Sequence, residues 1–159
     1  MFKITNLSIA LVILSIIIFF FVFSSGEVND YRYYLQNWHY SNLGLSPWSS
    51  ELEEKKILSS YGPLHTVIGY LALINSLLPK ILFASTSLII FLILVQNRKN
   101  RLGKIKTLDL FYIILIYPLF PFTIIINYIY GINDSIIALL ILLACEARKN
   151  EKMILIIDQ

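Results

Sequence analysis

Charge is the scarcest property of this chain. Asp, Glu, Lys and Arg make up 14% of its 159 residues, while apolar residues make up 57%. A soluble domain carries about 25% charged residues, so this chain lacks the polar surface to cover itself in water. Cysteine is nearly absent: Cys145 stands alone in an apolar run, which excludes an intrachain disulfide and says nothing of the compartment. His39 and His65 are the only histidines, too few for a metal site of familiar spacing. No glycine-rich nucleotide loop is present, and no Ser-His-Asp order suggests a hydrolase. Internal repeats and Gly/Ser linkers are missing too. The net charge is +3, but its basic residues cluster in a way that points to membrane topology, so no nucleic-acid partner is expected.

Long apolar runs fill most of the chain: Leu7–Phe23, Ile81–Val95, Leu108–Tyr130 and Ile136–Ala147. A helix needs about 20 mainly apolar residues to cross hydrocarbon. The first and third runs meet that length; the second and fourth meet it with their flanks. The expected fold class is therefore all-α, a polytopic bundle in the lipid bilayer forming one domain over 1–159. Its spans fall at about 7–24, 81–96, 108–127 and 135–147. Lys3 before the first run and Ser24 and Gly26 after it also fit a cleaved signal peptide, although a signal core is usually about 7–15 residues. Pro118 and Pro121 should kink the third span, either for packing or in a direct role.

Arg98, Lys99, Arg101, Lys104 and Lys106 crowd one short loop, and Arg148, Lys149 and Lys152 crowd the tail. The first loop, 25–62, is net acidic. Positive-inside logic places the N-terminus, the basic loop and the tail in the cytoplasm of a cell membrane, with the acidic loop outside. An odd number of crossings must then lie between residues 62 and 97. That stretch holds two helical pieces broken at Pro79-Lys80, so one must not cross. The segment 63–78, with His65, Thr66, Gly69, Asn75 and Ser76, is the better candidate for a half-embedded helix. A hairpin in which both pieces cross is the alternative, and it would leave the basic loop outside.

The first loop is rich in aromatics: Tyr31, Tyr33, Tyr34, Trp38, Tyr40, Trp48 and Tyr61. Such rings favour the headgroup level, and an interfacial belt accounts for most of them. Val28–Tyr40 can form a surface helix. Asp30 follows the first span closely; it is either that helix's cap or a partly desolvated carboxylate suited to general base work. His65 follows a Gly62-Pro63 turn and should face the polar zone, as a surface histidine or an anion contact. Asn133, Asp134 and Ser135 cap the last helix, or line a watery cavity shared with Asp30.

In order along the chain, Asn29-Asp30-Tyr31-Arg32-Tyr33-Tyr34 after the first span, Gly44-Leu45-Ser46-Pro47-Trp48, Tyr61-Gly62-Pro63-Leu64-His65 and Gly131-Ile132-Asn133-Asp134-Ser135 resemble the N-terminal part of a GT-C-fold polytopic membrane glycosyltransferase, the lipid-phosphosugar-dependent, mannosyltransferase-like kind. The resemblance covers about residues 5–150. It implies transfer of a sugar from a polyprenyl-phosphate donor to an extracytoplasmic acceptor. The family's catalytic acid falls on Asp30. Arg32, Tyr61, His65, Asn133 and Asp134 become candidate substrate-binding residues. The family often has two acids in this loop. Here Asn29 stands beside Asp30, so no cofactor is expected beyond a weakly supported divalent metal. Family members are longer, which implies a C-terminally truncated chain or a second membrane polypeptide as partner. The alternative reading is a non-catalytic multi-pass assembly or scaffold subunit, or an inactive truncated relic. A transporter fragment is disfavoured because the span interiors contain no charges.

Overall fold

The computed structural model describes residues 4–28, 30–45 and 63–157, and every regular element among them is helical. Asn29, Tyr61, Gly62 and the Pro47-Trp48 pair lie outside the described residues. Helix α1 (Ile4–Ser25) has 22 residues, about 33 Å at 1.5 Å per residue. Leu14, Ile18 and Val22 form its buried stripe at helical spacing, while Ile9, Val12, Ile13, Ile16, Phe20 and Phe23 remain exposed. A helix apolar on both its packed and its open face is built for lipid.

Helix α2 (Asp30–Asn42) follows in the first loop. Helix α3 (Pro63–Gly69) continues into a 3₁₀ turn, Tyr70–Leu73. These stretches are too short to cross a bilayer. Helix α4 (Leu78–Leu102) is the axis of the structure and packs against α1 and the later helices. Its buried face runs through Lys80, Phe83, Ala84, Ser87, Phe91 and Val95. Pro79 lies inside its first turn, where a missing N–H costs no intrahelical bond. The expected break at Pro79-Lys80 is thus a helix start, and α4 begins three residues before the anticipated Ile81. It ends at Gly103, whose φ of 70° is the left-handed conformation of a helix C-terminus.

Helix α5 (Thr107–Ile116) starts where Asp109 Oδ2 accepts the Lys106 backbone N–H at 3.1 Å. Helix α6 (Pro121–Ile129) continues from it at an angle of 49°. Pro118 and Pro121 thus produce the expected kink. Residues Ile124–Ile129 of α6 are π-helical, with the Tyr130 N–H donating to Ile125 O at 2.9 Å. Helix α7 (Asp134–Ile157) runs unbroken for 24 residues. The expected 135–147 segment is only its first half; the basic tail continues the same helix.

Leu7–Ser25 and Leu78–Leu102 are long and apolar enough to cross a membrane, and the bent α5–α6 pair adds a third if it is one span. These helices mark the chain as a membrane protein. Helix α7 carries Glu146, Arg148, Lys149, Glu151 and Lys152 in its second half and is not among the helices that meet both criteria. Ala84, wholly buried in a cluster with Ile18, Val22 and Tyr128, lets α1, α4 and α6 approach closely. Ala84→Leu should therefore destabilise the bundle by about 1–3 kcal/mol through overpacking. Thermal unfolding in detergent checks this against Leu82→Ala, an exposed position expected to be near neutral.

Candidate functional site at the loop end of the bundle

Four segments meet where α1 ends: the Ser25-Gly26 turn, α2, the start of α4 and the Gly131 turn before α7. Gly26 has φ 57° and so reverses the chain out of α1. The last carbonyls of a helix need donors, and Lys80 supplies one. Its side chain is fully buried; Nζ donates to Gly26 O at 2.6 Å and to Ser25 Oγ at 2.8 Å. The ammonium also stands 5.6 Å from the centroid of the Tyr31 ring. Two hydrogen bonds and an aromatic face replace the water that the cation lost. Its charge also complements the negative end of the α1 dipole.

Tyr31 completes the junction. Its hydroxyl donates to Ser76 O and accepts the Lys80 backbone N–H at 3.2 Å. Burial, with a smaller contribution from nearby Glu27, pushes the phenol above its ordinary value, so it stays a neutral donor. Tyr31, Tyr34 and Trp38 share one face of α2 and are buried, not ranged along a lipid belt. Tyr33, on another face, is exposed. The belt expectation fails for the buried rings because α3 and Phe83 offer them a protein surface. The Trp38 indole N–H donates to His65 O at 2.9 Å and contacts His65 Nδ1 at 3.2 Å. A Cβ on Gly69 would lie 2.3 Å from Trp38 Cδ1, so glycine is what lets the indole lie on α3.

The Gly131 turn seals the other side. Gly131 has φ 66°, and a Cβ there would meet Lys80 Cγ and Tyr31 Cδ2, each at 2.9 Å. Buried Ser135 donates to Phe83 O at 2.7 Å and anchors the start of α7 on α4.

The structure distributes the candidate residues unevenly. Asp30 is the first residue of α2, directly before Tyr31, and Asp134 is the exposed first residue of α7. The Tyr31–Gly131 contact brings these two helix starts to the same end of the bundle. Asn133 is half-buried, and no described residue donates to its Oδ1. Arg32 is exposed and its Nε donates to Glu27 O at 2.6 Å. Tyr61 lies outside the described residues. His65 is a correction: it is 4% exposed, edge-on to Tyr34 with ring centroids 4.7 Å apart, and faces the aromatic cluster instead of the polar zone. Burial lowers its pKa to about 4, so at neutral pH it carries no charge to offer a phosphate. Lys80 and Ser25 escaped the sequence reading as site residues. The signal for Lys80 was a single cation at the head of an apolar helix; nothing local indicated its partners.

Among the described residues, no group of three or more His, Cys, Asp and Glu side chains is disposed to hold a metal ion. The arrangement is a buried polar junction beside two helix starts, at Asp30 and Asp134.

Lys80→Met keeps the length of the side chain but leaves the Gly26 carbonyl without its donor. It should cost about 1–3 kcal/mol, read as a lowered unfolding temperature in detergent. The depressed His65 pKa gives a pH dependence of definite sign. Stability from its burial is complete above pH ~6.5, where the unfolded imidazole is neutral too, and falls as pH drops toward about 4. Unfolding measured at pH 7.5, 5.5 and 4.5 should show this loss, and His65→Gln should remove it. The chain matches no protein-family model, and no curated protein or solved structure is significantly similar to it.

Proposed function

We propose that the chain is the N-terminal part of a GT-C-type membrane glycosyltransferase acting at the loop end of the bundle. One observation carries this reading: α1 leads within a few residues into a helix headed by Asp30, and that helix folds back onto Lys80 and the Gly131 turn beside the helix headed by Asp134. Acids at the rim of a membrane bundle suit a reaction between a lipid-borne donor and a water-borne acceptor. Asp30 takes the proton of the acceptor hydroxyl as that oxygen attacks the anomeric carbon of the sugar. The bond from that carbon to phosphate oxygen breaks, and the polyprenyl phosphate departs with the electron pair. Arg32, released from the Glu27 carbonyl, is the group with the charge to meet the phosphate. The loop end faces out of the cytoplasm, opposite the basic loop. A second membrane polypeptide, or further spans, supplies the rest of the donor site.

A second reading, a non-catalytic assembly subunit, has its own supporting observation. Lys80, Tyr31 and Trp38 spend their polar hydrogens on the Ser25 hydroxyl and on backbone carbonyls. A cleft of about 370 Å³ lies at the basic end, and an apolar groove of about 300 Å³ lies between α1 and α5. Neither is at the loop end.

Membranes containing the full chain, with any polypeptide that co-purifies, should transfer sugar from polyprenyl-phosphate mannose or glucose. Asp30→Asn should cut that transfer about 10²-fold or more at unchanged protein level. Transfer at the full rate in Asp30→Asn removes the base assignment. Absence of transfer by the wild-type chain favours the assembly subunit.

A further inference from the structure

The opposite end of the bundle is open. There α4, α5 and α7 diverge around the cleft of about 370 Å³, within the range of roughly 300–1,000 Å³ typical of small-molecule sites. Leu94, Ile113, Ile116 and Leu142 form its apolar walls; Asn97, Arg98, Arg101 and Glu146 form its polar lining. Asp109 is paired with an arginine, while Glu146 is hydrogen-bonded to a neutral amide and keeps its charge in the lining. Glu146 Oε1 accepts Asn97 Nδ2 at 3.0 Å, and Asp109 pairs with Arg98 at 2.8 Å. Arg101 is exposed and forms no ion pair with a described residue. Exposed Lys99 and Lys104 add to the positive rim.

We propose that this cleft binds an anionic phospholipid, with the phosphate of its headgroup on Arg101, on the side away from Glu146, and the upper part of one acyl chain against Leu94, Ile113 and Leu142. Charge complementarity selects the occupant. An apolar wall beneath a cationic rim at a helix end matches a molecule that is anionic at the surface and hydrocarbon below it. A zwitterionic lipid offers the same hydrocarbon without the net charge. Arg98, held by Asp109, fixes the shape of the rim, and Arg101 supplies the free charge.

Cys145, the only cysteine in the sequence, is exposed in the wall of the cleft and reports on its occupancy. The full chain in phosphatidylcholine nanodiscs, with or without added phosphatidylglycerol, is labelled with N-ethylmaleimide. Phosphatidylglycerol should slow the wild-type reaction about fivefold, the factor one arginine contributes near an anionic surface. Arg101→Ala should remove that slowing and Arg101→Lys keep part of it. Lys104→Ala, which alters a cation beside the cleft but not in its lining, should keep more of it than Arg101→Ala does. Equal rates in the two lipids overturn the proposal, as does the same slowing in Arg101→Ala as in wild type. Protection by inorganic phosphate in phosphatidylcholine alone also overturns it, because the ligand would then be a soluble anion.

Discussion

The buried ammonium of Lys80 is the interaction on which the loop end depends. A cation with no exposed surface persists only where protein groups replace its hydration. Here the carbonyl of Gly26, the hydroxyl of Ser25 and the face of Tyr31 do so. Each belongs to a different stretch from Lys80 itself, so one side chain ties the exit of α1 and the start of α2 to the start of α4. The Gly131 turn lies against its stem, which adds the entry to α7. Without this centre the Gly26 carbonyl, the Ser76 carbonyl and the free N–H groups at the start of α4 would be left to find other partners inside a buried junction.

The aromatic face of α2 extends that centre sideways. Tyr31, Tyr34 and Trp38 give α2 an inward surface, and α3 meets it with Ile68, Gly69 and a neutral His65. The loop helices are thus fixed to the bundle by directional contacts as well as by burial. The two ends of the molecule differ as a result. At the loop end Lys80, Tyr31, Trp38 and Ser135 bond to other protein groups, while the buried amide of Asn37 and Asn133 Oδ1 have no hydrogen-bond partner among the described residues. The basic end holds a cleft lined by Arg98, Arg101 and Glu146, with further cations exposed around it.

Much of the helical layout was legible from apolar run length: α1, the body of α4, and a third run kinked at Pro118 and Pro121. Those features follow from local rules about span length and missing donors. The start of α4 was misjudged because a proline can break a helix or begin one, and only its position relative to the first turn decides. The length of α7 was hidden by its charges, which interrupt an apolar run without interrupting a helix. For the aromatics, the spacing of Tyr31, Tyr34 and Trp38 was visible on one face, but whether that face meets lipid or protein depends on α3, far away in sequence. Lys80 was illegible for the same reason: a lysine near a helix end usually reaches toward water, and the groups that hold it lie 54 and 55 residues away. His65 showed the converse, a polar residue after a turn drawn inward by an indole that needed an acceptor.

The central claim is a contact between one ammonium nitrogen and one glycine carbonyl, and solid-state NMR can measure it in lipid. With ¹⁵Nζ-lysine and ¹³C-carbonyl-glycine labels, the dipolar coupling between them should report a pair at hydrogen-bond distance, and the signal should vanish in Lys80→Met. A wild-type spectrum with no such coupling, and with every lysine nitrogen exchanging freely with water, would contradict the account.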